Sequence, residues 1–452
     1  MLKKILKKIK PTEEEKRAIE ETCKELIQLV KKEFKDFEER VEVNVFGSVS
    51  RDTWLSHEKD IDLFVSFPTL YTKDQLEDAA TRVGRRILSN LEKRFAEHPY
   101  VMGEYDGYSV EIVPCYLVED ATKRLSAVDR SPFHDDFVRG ALKGRQDEVR
   151  LLKQFLKGIG CYGAEARIEG FSGYLCELLI IHFGSFEKVL TAAAGWRIPV
   201  AIEMKGRGKV SGLLPSPMIF LDPTDRERNV ASALSIQNLS LFIYAAKRFL
   251  ESPRESFFFP KKRAAAKKEL RDMFRQRGTH LISLAFQAPS VIDDILHPQL
   301  RKAARLFERL LEDSGFHVIN SRFSVGAEAA MVFELDSTRL PFTRLHTGPP
   351  VNSKNEREFL EKHKGSKKAL TAPFIMGDRW AVFIKRDYTD AASFLTAFLS
   401  AKDLRKKGVP SHVAREVQKG FEIRTGEDAI KGDMELFTDL FDPVFPWEVE
   451  DG

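Results

Sequence analysis

The stretch Asp60-Ile61-Asp62-Leu63-Phe64-Val65-Ser66-Phe67, stopped by Pro68 and preceded by Phe46-Gly47-Ser48, constrains this chain more than any other. Apolar strand formers dominate it, so it reads as a β-strand. Side chains two apart on a strand share a face, which puts Asp60 and Asp62 together while Ile61, Leu63 and Val65 point into a core. An Asp-x-Asp by itself is also what an edge strand facing water carries. The preceding segment changes the balance: Val41, Val43 and Val45 alternate with Glu42 and Asn44, a second strand, and Gly47-Ser48 ends it with 11 residues left before Asp60. A turn there lets backbone N–H groups and the Ser48 hydroxyl reach an anion, with glycine permitting close approach. Paired carboxylates at this spacing repel unless a cation sits between them, and hard oxygen ligands suit Mg2+ carrying substrate phosphates.

A Gly-Ser turn after one strand and Asp-x-Asp on the next resembles the signature of the polymerase-beta-like nucleotidyltransferase superfamily. The superfamily expects a third carboxylate on a neighbouring strand. In Ser109-Val110-Glu111-Ile112-Val113-Pro114, Val110 and Ile112 face one side and Glu111 the other, so Glu111 is the candidate; it could also be a surface residue on an edge strand, since Pro114 implies an edge or a strand end. Thr12 and Glu15 form a capping box ahead of a helix with Ile19, Cys23, Leu26, Val30 and Phe34 on one side. A second helix is expected from Lys73 to about Glu97, and helices over Asp147 to Leu156 and after Ser172. Asp129 to His134 reads as a loop, and Lys153 lies off its helix's apolar stripe.

At 452 residues the chain is long enough for about three domains of roughly 100 to 200 residues each. No run approaches the roughly 18 apolar residues of a membrane span, so no membrane role is expected. Cys23, Cys115, Cys161 and Cys176 show no metal-ligand spacing and fit small core residues in a reducing, cytoplasmic setting. The net charge of +4 is slight, so nucleic-acid binding must come from local patches. One is Lys261 to Arg277, a basic helix suited either to phosphate contacts or to a solvated face; the lysine-rich start, Met1 to Lys10, reads chiefly as an amphipathic helix with a solvated face. Beyond Gly278 the order strand, helix, strand, strand could build a ferredoxin-like or RNA-recognition-like sheet.

Longer strings narrow the resemblance. Gly47-Ser48-x-x-Arg51, Asp60-Ile61-Asp62, Ala96-Glu97-His98-Pro99-Tyr100-Val101, Val113-Pro114-Cys115-Tyr116, Ser126-Ala127-Val128-Asp129-Arg130-x-Pro132-Phe133-His134, Glu148-Val149-Arg150-Leu151-Leu152-Lys153, Gly170-Phe171-Ser172-Gly173-Tyr174-Leu175-Cys176-Glu177 and Asp222-Pro223-x-Asp225-x-x-Arg228-Asn229-Val230-Ala231 occur in that order. Together they closely resemble the archaeal-type (class I) CCA-adding tRNA nucleotidyltransferases.

The resemblance implies template-independent addition of C, C and A to the 3′ end of tRNA from CTP and ATP. It implies an α+β protein: a polymerase-beta-like palm over residues 1–140, a mainly helical central domain over 141–256, and an α+β RNA-binding region over 257–452 that grips the acceptor stem and TΨC arm. Carried over position by position, Asp60, Asp62 and Glu111 would hold Mg2+ and be catalytic, Ser48 and Arg51 would bind the triphosphate, and His134, Lys153 and Tyr162 other parts of the nucleotide. Arg228 would help select the base. From spacing alone, Tyr162 could simply cap a helix and His134 anchor a loop. The family often has Asp where Glu111 stands and Glu where Asp60 stands; a ligand one methylene longer needs its strand slightly farther back. The chain is compatible with a homodimer. Another RNA nucleotidyltransferase of the same fold, such as a poly(A) polymerase, would share the carboxylates and differ in nucleotide choice.

Overall fold

A computed structural model describes residues 1–35, 41–95, 99–204 and 216–449. The chain divides into two compact units, residues 1–262 with 445–452, and residues 263–444.

The first unit begins with α1 (Leu2–Ile9) and α2 (Glu13–Glu33), the latter opened by the Thr12–Glu15 capping box. Ile5 and Ile9 are buried, and Lys8 and Lys10 pair with Glu255 and Asp147, so much of the lysine-rich start is spent inside the unit. β1 (Glu42–Phe46) leads through the one-turn helix α3 (Gly47–Ser50) to β2 (Asp60–Phe67). After α4 (Lys73–Ile87) come β3 (Ser89–Phe95), β4 (Pro99–Tyr105) and β5 (Tyr108–Tyr116). The sheet order is β1-β2-β5-β4-β3, with β2 and β5 parallel and the other neighbours antiparallel. Ile61, Leu63 and Val65 of β2 and Val110 and Ile112 of β5 share one buried core with α2 and α4.

One expectation changes here and another is narrowed. The helix foreseen from Lys73 to about Glu97 ends at Ile87, and residues 88–95 turn into a hairpin strand. Leu-Glu-Lys-Arg composition favours a helix, but pairing with β4 overrides that preference. Residues 96–98, which belong to one of the family strings, lie outside the described residues. Of the two settings that Pro114 implied, an edge or a strand end, it takes the second: it lies two residues from the end of β5, an interior strand. The N–H groups of Ser109 and Leu117 donate toward β2, so alternation turns the nitrogen of Pro114 to the other side. On that side the ladder with β4 runs only as far as Val101–Ile112. Two residues on, the Tyr116 N–H is capped by the buried Asp129 carboxylate at 2.8 Å, which also accepts from the Leu125 and Ser126 N–H groups.

The anticipated loop at Asp129–His134 is a 3-10 turn running into α5 (Ser131–Leu142), because Pro132 in the first turn needs no donor and is already set for a helix. α6 (Gln146–Gly158), α7 (Gly173–Phe183) and α8 (Phe186–Ala194) follow. A two-stranded pair, β6 (Val200–Ile202) with β7 (Met218–Phe220), precedes α9 (Ile236–Glu251). Their core is aromatic, centred on Phe155 with Phe186, Phe242, Phe249, Phe257 and Phe258. The chain end, Phe445 to Glu448, returns to this unit: Trp447 is 1% exposed and lies over Phe257 at 5.1 Å.

In the second unit, α10 (Lys267–Arg277) is shorter than the basic stretch and leads to β8 (His280–Gln287). α11 (Asp293–Ser314) begins five residues ahead of Pro298, which falls inside the helix. β9 (Val318–Val325) and β10 (Glu328–Leu335) follow, then a separate sheet of β11 (Thr343–Pro350), β12 (Phe374–Met376) and β13 (Arg379–Lys385) beside α12 (Glu356–His363). α13 (Ala391–Leu399), α14 (Ser411–Lys419), β14 (Glu422–Thr425) and α15 (Met434–Phe441) complete the unit. The main sheet is antiparallel in the order β14-β8-β10-β9, the ferredoxin-like arrangement, with the three-stranded sheet inserted after β10. On α10, Arg271 and Arg275 pair with Glu427 and Arg277 with the buried Glu334, while Lys267 and Lys268 stay exposed. The basic helix therefore combines internal pairing with a solvated side.

Candidate active site

Parallel registry sets the centre of the site. Asp62 of β2 lies opposite Glu111 of β5, and Asp60 opposite Ser109, so the three carboxylates occupy one face of two adjacent strands. Farther along that face Phe64, Val113 and Cys115 close a small apolar cluster. Asp62 reaches toward α3: a Cβ placed on Gly47, whose φ is +78°, would stand 2.0 Å from its Oδ2. Burial, with Asp60 adding repulsion and Arg51 and Lys153 opposing it, pushes the Asp62 carboxyl up to about 6. Burial raises Asp60 as well, with Glu58 adding to it.

Beside Asp60 opens a cleft of about 500 Å3 whose lining includes Ser48, Glu58, Lys157, Tyr162 and Glu165. Lys157 pairs with Glu58 and sits 5.3 Å from the centre of the Tyr162 ring. Ser48, Asp60 and Tyr162 are thus brought together from α3, β2 and the segment before α7.

Arg51 and Lys153 are both deeply held. Arg51 Nε donates to Asp135 Oδ1 at 3.0 Å and Nη1 to Glu177 Oε2. Burial alone would lower the Arg51 pKa, but Glu177 and Asp135 together raise it. Lys153, expected off the apolar stripe, is 2% exposed because α6 is covered on several sides, and its ammonium donates to the Thr53 carbonyl at 2.9 Å. Burial lowers its pKa against the pull of Glu177 and Glu58.

His134 and Arg228 converge elsewhere, on the fully buried Asp222. Asp222 Oδ2 lies 2.8 Å from His134 Nε2 and accepts from Arg228 Nη1 at 2.8 Å, while Tyr174 donates its hydroxyl to Oδ1 at 3.2 Å. His134 stacks on Tyr174 at 4.2 Å, and the guanidinium carbons of Arg51 and Arg228 lie 5.9 and 6.0 Å from that ring. Tyr174 therefore links the Asp222 cluster to the Arg51 network. Burial lowers the His134 pKa against the pull of Asp222.

Sequence reasoning assigned no role to Glu177, Thr53, Asp135, Tyr174 or Asp222. Glu177 carried a signal: it is the one acidic residue in the apolar run Gly173–Phe183, and a buried charge needs partners. Asp222 begins an Asp-Pro-Thr-Asp turn that its own side chain caps by accepting from the Thr224 N–H at 2.9 Å.

Among the described residues, no three His, Cys, Asp or Glu side chains converge closely enough to hold a metal by themselves. Two or three carboxylates on one strand face still fit Mg2+, which takes one or two carboxylates and completes its shell with water and substrate phosphate.

Comparison with known proteins decides what this arrangement belongs to. Residues 23–134 match the family described as nucleotidyltransferase domain, residues 147–259 the tRNA nucleotidyltransferase second domain, and residues 277–426 the CCA-adding enzyme C-terminal domain. The chain is 36% identical to the CCA-adding enzyme of Methanothermobacter thermautotrophicus over 98% of each chain. It is 37% identical to that of Methanosarcina mazei over 93% of this chain and 92% of the relative, and 35% identical to that of Archaeoglobus fulgidus over 95% of each. The chain belongs to the CCA-adding enzyme family. Its fold is accordingly the polymerase-beta-like nucleotidyltransferase palm joined to helical and α+β parts.

For a CCA-adding enzyme the Gly47–Asp62 contact makes a sharp expectation. Gly47→Ala places a methyl where the Asp62 oxygen stands and strains a positive φ, so CMP incorporation into tRNA falls by about a hundredfold. Unfolding free energy drops by only about 1 to 3 kcal/mol. Steady-state incorporation at near-wild-type rate would show that Asp62 does not need its present position.

Proposed function

We infer that this enzyme completes and repairs the 3′-terminal CCA of tRNA without a template, using CTP and ATP and releasing pyrophosphate. The observation that carries the reading is the juxtaposition of Asp60, Asp62 and Glu111 on one strand face beside Gly47-Ser48, within a chain of this family. The acceptor 3′-hydroxyl attacks the α-phosphorus in line. Asp60, Asp62 and Glu111 would hold Mg2+, which when bound lowers the pKa of that hydroxyl and offsets charge on the triphosphate. The Ser48 hydroxyl donates to the triphosphate at the rim of the cleft it shares with Asp60 and Tyr162. Arg51 and Lys153 add positive potential behind Asp62. Tyr162 offers a ring for the sugar or base. His134 and Arg228, both fixed on Asp222, present polar edges to the incoming base.

Residues 1–140 would act as catalytic head, 141–256 as the part completing the nucleotide pocket, and 257–452 as the grip on the acceptor stem and TΨC arm. That grip is by shape: A-form phosphates and 2′-hydroxyls rather than base edges. All four cysteines are buried and unpaired, which suits the reducing cytoplasm where tRNA is processed.

The test uses tRNA transcripts ending before CCA, after C and after CC, with Mg2+ and labelled CTP or ATP supplied separately. Two C residues and then one A, stopping there, is the expected result. Unlimited A addition, or refusal of C by every transcript, would move the function to a poly(A) polymerase on the same palm.

A further inference from the structure

We propose that Glu177 is the positioning residue of the nucleotide site, acting through Arg51 and Thr53 to hold segment 47–53 at the angle that presents Ser48 and Arg51 to the triphosphate. This rests on the proposed CCA-adding reading. Glu177 is 1% exposed on α7, with apolar neighbours along the helix. One of its oxygens accepts from Thr53 Oγ1 at 2.6 Å and the other from Arg51 Nη1. Thr53 passes the constraint on, because its carbonyl accepts from Lys153 at 2.9 Å. Asp135 braces the same segment from α5, accepting from Ser50 Oγ at 2.8 Å and Arg51 Nε at 3.0 Å. Residues 50, 51 and 53 are thus tied to α5, α6 and α7, only two residues from Ser48. Arg51 is held directly between this carboxylate and Asp135, and Lys153 reaches the same segment through the Thr53 carbonyl, so removing the Glu177 charge leaves the buried guanidinium half-paired and free to turn toward Asp135. No other described side chain joins Arg51 and Thr53 at once.

The experiment is a double-mutant cycle of Glu177→Gln, Arg51→Gln and their combination, read as KM for CTP and ATP, kcat, and melting temperature. The amide of Glu177→Gln keeps the shape and can still accept from Thr53, but loses the charge that orients Arg51. KM for both nucleotides rises about tenfold or more while kcat changes less, since the site is misaligned rather than stripped of its carboxylates. Because Glu177 acts through Arg51, the double variant has the KM of Arg51→Gln alone. Additive losses, or an unchanged KM, overturn the proposal. Thr53→Val removes one hydrogen bond and no charge, and raises KM about threefold; an unchanged KM there overturns the role even if Glu177→Gln fails to fold. Wild-type protein that adds no CCA refutes the enzymatic reading itself, whereas active wild type with indifferent variants refutes only the positioning role.

Discussion

Asp62→Asn lowers nucleotide addition by roughly a thousandfold or more, while the protein stays folded. Asp62 is the central carboxylate of the site, flanked along β2 by Asp60 and across the sheet by Glu111. An amide of the same shape keeps the packing against Gly47 but loses the negative charge that would hold Mg2+. Stability moves the other way. The folded state raises the Asp62 pKa to about 6, so the fold binds that proton more tightly than the unfolded chain does. Its contribution is therefore favourable at low pH and lost as pH rises through the folded value. In metal-free protein at neutral pH the substitution leaves the melting temperature unchanged or higher. Single-turnover CMP incorporation with saturating Mg2+, paired with calorimetry, checks both halves. Near-normal activity of this variant would remove Asp62 from the reaction.

The second large effect is on stability. Trp447→Ala destabilises the first unit by about 3 to 5 kcal/mol, lowering its melting transition by roughly 6 to 15 °C. The indole is 1% exposed, stacks at 5.1 Å on Phe257 and 4.8 Å on Phe445, and its backbone carbonyl accepts from Ser256 Oγ at 2.8 Å. Alanine leaves a cavity against the aromatic core rather than an exposed surface. The indole Nε1 finds no acceptor among the described residues, so Trp447→Phe loses area but no hydrogen bond and costs about 1 to 2 kcal/mol. Equal losses for both variants in thermal or urea unfolding would contradict a packing role for this ring.

Much of the fold was legible because it is locally encoded. The Thr12–Glu15 capping box, the alternation of Val41, Val43 and Val45, and the Asp60–Phe67 run each declare their structure within a few residues. In the second unit the strand, helix, strand, strand order led to the ferredoxin-like sheet found there. Segment 88–95 was misread because its helix-favouring composition says nothing of the β4 strand that pairs with it. Which of its two settings Pro114 takes, an edge or a strand end, was open for a similar reason: where the ladder between β4 and β5 stops is written in neither strand alone.

By itself, then, the sequence determined the strand pair, the glycine turn and the facing carboxylates, all consequences of a two-residue period and short-range sterics. Its ordered strings also marked the family. What only the tertiary structure decided is which buried polar groups meet one another. Arg51 meets Glu177 across 126 positions, Lys153 meets Thr53 across 100, and His134 meets Asp222 across 88. Such pairings have no periodicity to betray them, since they arise when separate elements bury polar groups together and each group must find a partner in the same dry space.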